Sequence, residues 1–339
     1  MRCRVKRKYI DIGDIASYTH LAAAFLKAKK GKSHSPAVAA FALHLDRNIE
    51  KIRNKLLYET APIGEYTHFT IHDPKKRIIH AVSFKDRVLH HGVMHFLESI
   101  IDKALLPTVY ACRKGKGKLK AVLRVQYFCR RYPWYVKIDI RKYFDSIDHG
   151  ILYNLLRKKI KGREVLGVIW RIINSYQTEP GKGLPIGTLP SQYFANFYLH
   201  SVDRFITERT GARGYVRYMD DIIWWCDTRG EAKASLAGVR QFIHNTVHLE
   251  LKESIQINRS VRGVTFCGFR VLPGTIRLTR RKKKLYKSGL RKWEQAYVSG
   301  AIDQYKLQAA CDAVHSAAIH AKSREWRKKY LENREIIDV

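Results

Sequence analysis

Apolar residues recur at helical spacing along some stretches of this chain and alternate with polar ones along others, and the changes between the two patterns mark its elements. An alanine-rich stretch from Tyr18 to Lys30 reads as a helix. After a Gly/Ser/Pro break at Gly31 to Pro36, a second helix is expected from about Val38 to Leu57. Between Glu65 and Ile79, β-branched and aromatic residues surround a polar Asp73-Pro74-Lys75-Lys76 turn, which predicts a hairpin with a basic tip. From Phe84 to Ile101 the apolar positions Val88, Val93, Phe96, Leu97, Ile100 and Ile101 return to helical spacing, and Tyr110 to Lys120 then reads as a basic, Gly-containing loop.

The middle of the chain changes character. Trp134 to Ile140 predicts a strand, and the helix after it sets Ile151, Leu152, Leu155 and Leu156 on one face, with Asp148 placed as its N-cap. A helix from about Ser191 to Arg209 follows, then two short strands joined by a tight turn at Met219-Asp220-Asp221. Next come a helix from Glu231 to Val247, a strand near Leu249 to Ile257 and a hairpin from Val264 to Leu278 turning at Pro273-Gly274. From Thr279 the chain opens on five basic residues, Arg280 to Lys284, and continues as helices. The order predicts an α+β fold with helices on one face of an antiparallel sheet.

Charge then narrows the partners. The 339 residues carry 64 Lys and Arg against 30 Asp and Glu, a formal net charge of +34, yet 45% are hydrophobic, enough for a real core. Such a charge opposes compactness unless a polyanion neutralises it; nucleic acid comes first and an anionic membrane surface second. No apolar run is long enough for a membrane span, and Met1 to Asp14 lacks the apolar stretch of a signal peptide, so a cytoplasmic location is expected. Six scattered cysteines without a CxxC pair argue against a zinc knuckle and a disulfide framework.

Within so basic a chain, acidic residues flanked by apolar strand residues need an explanation. Asp139 follows Tyr135-Val136-Lys137-Ile138, and Asp220-Asp221 lies between Tyr215-Val216 and Ile222-Ile223. Aspartate favours turns, so an isolated Asp-Asp is ordinary. Two carboxylates about 4 Å apart, however, repel by roughly 4 kcal/mol at an effective dielectric near 20, and a cluster of three on a sheet would favour a divalent cation. Hard oxygen ligands with no nearby His/Cys set point to Mg²⁺ or Mn²⁺. A pair of such ions supports in-line phosphoryl displacement, of which nucleotide polymerisation is one case. His90, His91 and His95 have helical spacing for a metal, but without an HExxH glutamate they read as structural.

These blocks resemble, in order over about residues 65 to 280, those of reverse transcriptases. Tyr218-Met219-Asp220-Asp221 is similar to their YxDD box and Asp139 to Asp145 to their motif A. Gly183 to Gln192 is similar to motif B, Leu249 to Asn258 to motif D, and Gly263 to Pro273 to the hairpin that grips the primer. Phe84 to His91 and Tyr110 to Gly117 resemble the first two blocks of bacterial enzymes. Motif B carries Ile186-Gly187 and ends in Ser191-Gln192, similar to the IGxxxSQ form of diversity-generating retroelement enzymes. No RNase H or endonuclease segment is expected beyond the short helical tail.

The resemblance implies a right-hand polymerase fold with an antiparallel palm sheet: a basic helical extension over 1–64, fingers over 65–133, palm over 134–278 and a helical, basic thumb over 279–339. It implies Asp139, Asp220 and Asp221 as catalytic metal ligands, with the Ile140 carbonyl completing the shell of one of two Mg²⁺ ions, Mn²⁺ being able to substitute. It further implies a nucleotide site of Lys75, Arg77, Arg141, Lys142, Tyr143, Phe144, Ile186, Gly187 and Gln192. Phe144 stands at the family's steric gate against a ribose 2′-hydroxyl; a core aromatic is the other reading. Asp145 is assigned to local hydrogen bonding. Ile186 replaces a glutamine found in most relatives and offers shape without donors, which would lower fidelity at template adenines. Lys252 is the candidate general acid toward pyrophosphate, slightly out of register. Arg113, Lys114, Lys116 and Lys118 are expected on template backbone. Implied partners are template RNA, the RNA/cDNA duplex, dNTPs and a small basic accessory protein, in a bacterial or phage-encoded system with no membrane. A defence-associated or group II intron-like enzyme and a catalytically silent RNA-binding protein remain the alternatives.

Overall fold

The computed structural model describes residues 7–58, 63–72 and 76–333. The chain divides into two compact units, each drawn from discontinuous segments. One gathers the described residues up to Pro107 with Ile140–Phe205 and Val239–Lys252; the other gathers Thr108–Asp139, Ile206–Gly238 and the described residues from Glu253 onward. Both mix helix and strand, in keeping with an α+β chain.

In the first unit, helices Tyr18–Lys29, Pro36–Leu43, Leu45–Leu57 and Phe84–Ala104 bury Leu21, Phe25, Phe41, Ile49, Ile52, Leu89, Val93 and Leu97. The single helix expected from Val38 to Leu57 is two, broken at His44 (φ −124°, ψ 46°). The break lets Phe41 stack on Phe25 with ring centroids 5.4 Å apart, and Asn48 Nδ2 donates to the freed Phe41 carbonyl at 3.1 Å. The basic-tipped hairpin is present as Tyr66–His72 paired antiparallel with Lys76–Val82, running three residues past the expected end; Asp73, Pro74 and Lys75 of its tip lie outside the described residues. Asp148 caps helix His149–Arg157 by accepting from the Ile151 N–H at 2.8 Å, as its position predicts. Helix Arg163–Asn174 went unassigned from sequence. The helix expected from Ser191 to Arg209 is also two, Leu189–Tyr198 and His200–Arg209, where His200 stacks on Phe197 at 4.5 Å and hydrogen-bonds its carbonyl at 2.9 Å.

The second unit is built on a four-stranded antiparallel sheet ordered Gly214–Tyr218, Asp221–Cys226, Trp134–Asp139, Gln256–Arg259. Period-two alternation gives it two apolar faces. Tyr135, Val216, Ile223 and Trp225 join a core with Val122 and Val125 of helix Lys118–Arg131 and with Tyr286 and Leu290 of the basic tail. On the opposite face Val136, Ile138, Ile222 and Trp224 are buried, and Trp224 Nε1 donates to Ser235 Oγ of helix Arg229–Val247 at 2.9 Å.

Several expected boundaries move. The basic loop ends at Gly117, where helix Lys118–Arg131 begins. The strand expected near Leu249 to Ile257 shrinks to Gln256–Arg259 plus a one-residue bridge between Ile140 and Leu251. The hairpin expected from Val264 to Leu278 is a three-stranded meander, Val264–Phe266, Phe269–Val271 and Ile276–Leu278. Its additional turn, Cys267-Gly268, takes positive φ at both positions (47° and 82°) with no Asn-Gly or Asp-Gly to announce it. The tail forms helices Arg280–Val298, Gln304–Ser316 and Arg324–Glu332. No described helix is long and apolar enough to cross a membrane.

A buried carboxylate ties the first unit together. Asp86 accepts from Lys55 Nζ at 2.9 Å and from the N–H groups of Gly64 and Glu65 at 3.0 and 3.2 Å. Burial pushes its pKa up, but the Lys55 hydrogen bond and charge and the Gly64 N–H outweigh this and hold it below the ordinary carboxylate value. Its contribution is therefore present above the ordinary range and lost as pH falls below about 4. Asp86→Ala, which leaves Lys55 without this partner, is expected to lower unfolding free energy by on the order of 3 kcal/mol at pH 7 and much less at pH 3, read by denaturant titration at both.

Candidate active site

In the second unit the β-ladder decides which carboxylates meet. Asp139 ends strand Trp134–Asp139 and is the register partner of Asp221, the first residue of Asp221–Cys226. Cross-strand partners share a sheet face with Cβ atoms about 5 Å apart. Asp221 is also the partner of Tyr218, so Met219 and Asp220 form the two-residue loop between the strands. Met219 takes φ +57°, a left-handed conformation that non-glycine residues seldom adopt, and Arg217 Nη1 donates to the Met219 carbonyl at 3.1 Å. Arg217 is fully buried; its backbone N–H donates to the Thr108 carbonyl at 3.1 Å and its carbonyl accepts from Tyr110 N at 3.0 Å, which fixes the strand carrying the loop.

Asp221 is the strained member. Burial, opposed by the Lys137 charge and hydrogen bond and reinforced by Asp139 and Asp220, pushes its pKa up to about 6. Lys137 Nζ lies 3.0 Å from Asp221 Oδ1 and donates to Oδ2 at 3.2 Å, while Oδ1 is buried and accepts no well-angled hydrogen bond. Among the described residues no three His, Cys, Asp or Glu side chains close into a ready metal cage. The donor chemistry nevertheless fits a hard divalent cation: a register-paired carboxylate couple, a third carboxylate one residue away in the loop, and a buried oxygen lacking a hydrogen bond. Ile140, the next residue after Asp139, is buried and bridged to Leu251.

The first unit holds a cavity of about 740 Å³, into which Lys76, Arg77, Arg141, Lys142 and Lys182 bring positive charge and Asp145, Glu179 and Glu250 negative. Arg77 comes from the hairpin; Arg141 and Lys142 come from the turn after Asp139, where Lys142 takes φ +42° and Arg141 pairs with Glu250 at 3.1 Å. Ile186 lines the same cavity and its carbonyl accepts from His80 N of the hairpin at 2.9 Å. Gly187 has φ +117°, and a Cβ there would lie 2.8 Å from Ile79 Cγ2, so only glycine lets this turn approach the hairpin strand. His80 and Tyr176 sit in the lining with Tyr176 OH 3.1 Å from His80 Nε2; burial first, and then the neighbouring His68, lower the His80 pKa.

The remaining sequence candidates fall elsewhere. Tyr143 is buried with its hydroxyl on the Ala195 carbonyl, Phe144 is half-buried and edge-on to Tyr143 at 5.8 Å, and Gln192 is half-buried on helix Leu189–Tyr198. None of these three, nor Gly187 or Lys252, is among the residues lining the cavity, and Lys75 lies outside the described residues. Asp145, assigned from sequence to local hydrogen bonding, does line it, and its carbonyl accepts from Thr178 Oγ1 at 2.7 Å. Sequence reading missed Lys137 and Arg217. Lys137 stands two positions before Asp139, and period-two alternation alone puts both on one face.

Residues 71–271 match the family described as reverse transcriptase (RNA-dependent DNA polymerase). The group II intron-encoded protein LtrA of Lactococcus lactis subsp. cremoris is 26% identical over 172 residues, covering 48% of this chain and 29% of its own length. An uncharacterized 91 kDa protein in the cob intron of Schizosaccharomyces pombe is 30% identical over 137 residues, 39% of this chain and 17% of that protein. Protein YkfC of Escherichia coli K12 is 22% identical over 207 residues, 56% and 54% of the two chains. The chain thus spans between about one sixth and about half the length of these relatives.

The raised Asp221 pKa has a definite sign. The folded protein holds this proton more tightly than the unfolded chain, so the metal-free protein is expected to lose stability as pH rises from about 4 to about 6 and to stay at the lower level above that. Melting curves in EDTA across this window should show a slope in the wild type that Asp221→Asn removes. Stabilisation by added Mg²⁺ should run the other way, growing through the same window because a ligand must be ionised.

Proposed function

The chain belongs to the reverse transcriptase (RNA-dependent DNA polymerase) family, and from that premise we propose that it makes cDNA on an RNA template from dNTPs. The observation that carries the reading is the pairing of Asp139 with Asp221 beside the two-residue Met219-Asp220 loop. Asp139, Asp220, Asp221 and the Ile140 carbonyl would hold two Mg²⁺ ions, which when bound acidify the primer 3′-hydroxyl and neutralise charge on the departing pyrophosphate. The chain's own residues do the rest. Arg77, Arg141 and Lys142 line the cavity and offer an incoming triphosphate charge-assisted donors, and backbone N–H groups of the turn after Lys142 are assigned to the same anion. Phe144 is assigned to exclude the 2′-hydroxyl, and Lys252 to protonate pyrophosphate. The family's motifs also assign Lys75, Tyr143, Gly187 and Gln192 to the nucleotide; of these, Tyr143, Gly187 and Gln192 lie outside the cavity lining, where Gly187 acts through the close turn that brings Ile186 to the hairpin.

In the family's right-hand arrangement, residues 65–133 serve as fingers, 134–278 as palm and 279–339 as a thumb whose Arg280 to Lys284 run grips duplex phosphates. Two readings of the biological role compete. Ile186-Gly187 with Ser191-Gln192 supports an error-prone diversity-generating retroelement enzyme, working in the cytoplasm of a bacterium with a structured template RNA and a small basic accessory protein. The intron-encoded relatives support a group II intron-like enzyme equally well.

Purified protein with Mg²⁺, dNTPs and a primed RNA is expected to extend the primer, and Asp220→Asn to reduce extension by roughly a hundredfold to a thousandfold, since the residue is assigned to charge stabilisation at the reacting phosphate. Retained extension in that variant would contradict the metal assignment; no extension by the wild type would favour a silent RNA-binding protein. Sequenced cDNA pools should show that Ile186→Gln lowers misincorporation opposite adenine, and an unchanged error spectrum would remove the support that Ile186 gives the retroelement reading.

A further inference from the structure

One cation at the carboxylate pair has no task in the scheme above. Lys137 sits two residues before Asp139, on the same face of the strand that pairs with Asp221–Cys226. Its side chain is only 16% exposed. Besides its two contacts with the Asp221 carboxylate, Nζ donates to the Thr265 carbonyl at 2.8 Å and stands 5.8 Å from the centroid of the Phe266 ring. Thr265 and Phe266 belong to the first strand of the meander, whose turn at Cys267-Gly268 lies against Lys282: a Cβ on Gly268 would come within 2.9 Å of Lys282 Cε. Thr279, the N-cap of the basic helix Arg280–Val298, donates through Oγ1 to the Gly268 carbonyl at 3.0 Å. The ammonium therefore stands where a chain of direct contacts begins, running from the carboxylate pair through the meander to the first turn of that helix.

We infer that Lys137 is a positioning residue with two tasks: it is the counter-charge of the Asp139/Asp221 pair while no divalent ion is bound, and it holds the meander strand Val264–Phe266 in register with that pair. The first task follows from like charges facing each other on a β-ladder, which need a cation to persist. The second follows from where the donors go: of the three ammonium N–H groups, one is given to Asp221 Oδ2 and one to the Thr265 carbonyl, so a single side chain ties the carboxylate to the meander strand. A lysine suits the double role because its flexible stem lets the point charge withdraw toward the carbonyl and the aromatic ring when an ion enters, which a planar guanidinium cannot do as readily.

The inference rests on the polymerase reading for the identity of the entering ion, and the experiment separates the two. Mn²⁺ binding, followed by electron paramagnetic resonance of the full chain, would be compared in wild type, Lys137→Met and Lys137→Arg, with hydrogen exchange across residues 264–271 measured on the metal-free proteins. Removing a positive charge beside the ion should tighten Mn²⁺ binding roughly tenfold in Lys137→Met, whereas Lys137→Arg, whose guanidinium withdraws less readily, should bind Mn²⁺ no more tightly than wild type. Exchange in the meander should accelerate in Lys137→Met. Equal or weaker Mn²⁺ binding in Lys137→Met overturns the counter-charge role, and unchanged exchange overturns the register role. Absence of Mn²⁺ binding by the wild type would instead count against the polymerase assignment. Should Lys137→Met fail to fold, Lys137→Gln, which also removes the charge but can still donate to a carbonyl, is read by the same Mn²⁺ criterion.

Discussion

Asp139 and Asp221 face each other across a β-ladder, and like charges directly opposite on a sheet destabilise it. The surroundings are arranged to tolerate that repulsion. Lys137 supplies a positive charge from the same face, and Arg217 pins the carbonyl of the left-handed Met219 so that the loop keeps its two-residue form. A loop one residue longer would shift the register and turn the carboxylate to the opposite face of the sheet. The carboxylate arrangement is thus a consequence of hairpin geometry before it is a consequence of any ligand.

The two units carry different groups of charged residues. One presents the carboxylates on a sheet whose faces are both buried, a rigid support for groups that must be held against their own repulsion. The other presents a cavity in which five cationic side chains outnumber three acidic ones, a suitable balance for a polyanionic substrate. Chain order links them simply: Asp139 ends a strand of the first kind of site, and Arg141 and Lys142, two and three residues later, line the second. Adjacent residues of one short segment, a strand end and the turn after it, are thus placed in different surroundings.

What was legible in the sequence followed from short-range rules. Asp148 as an N-cap, the Lys76–Val82 hairpin partner and the strands on either side of Met219-Asp220 all depend on neighbours within a few residues. Helix breaks at His44 and Leu199 were not legible, because each is settled by a ring stacking on a neighbour rather than by Gly or Pro. The turn at Cys267-Gly268 hid for a related reason: its positive φ at cysteine is imposed by the pairing of Phe266 with Phe269. Lys137 carries no signal of its own, being one lysine among 64 Lys and Arg, and its role depends on the cross-strand register that brings Asp221 beside it. The place of Asp145 in the cavity was not legible because it rests on Thr178, which donates to its carbonyl from more than thirty residues further along the chain.

Strand register brings carboxylates distant in sequence to one place, where we propose a divalent-cation site, and anomalous diffraction from crystals grown with Mn²⁺ decides whether it is one. A Mn²⁺ peak is expected within about 2.2 Å of carboxylate oxygens from both Asp139 and Asp221, the coordination distance for a hard divalent ion. A fully occupied peak bound elsewhere, with Lys137 still seated on Asp221, would contradict it.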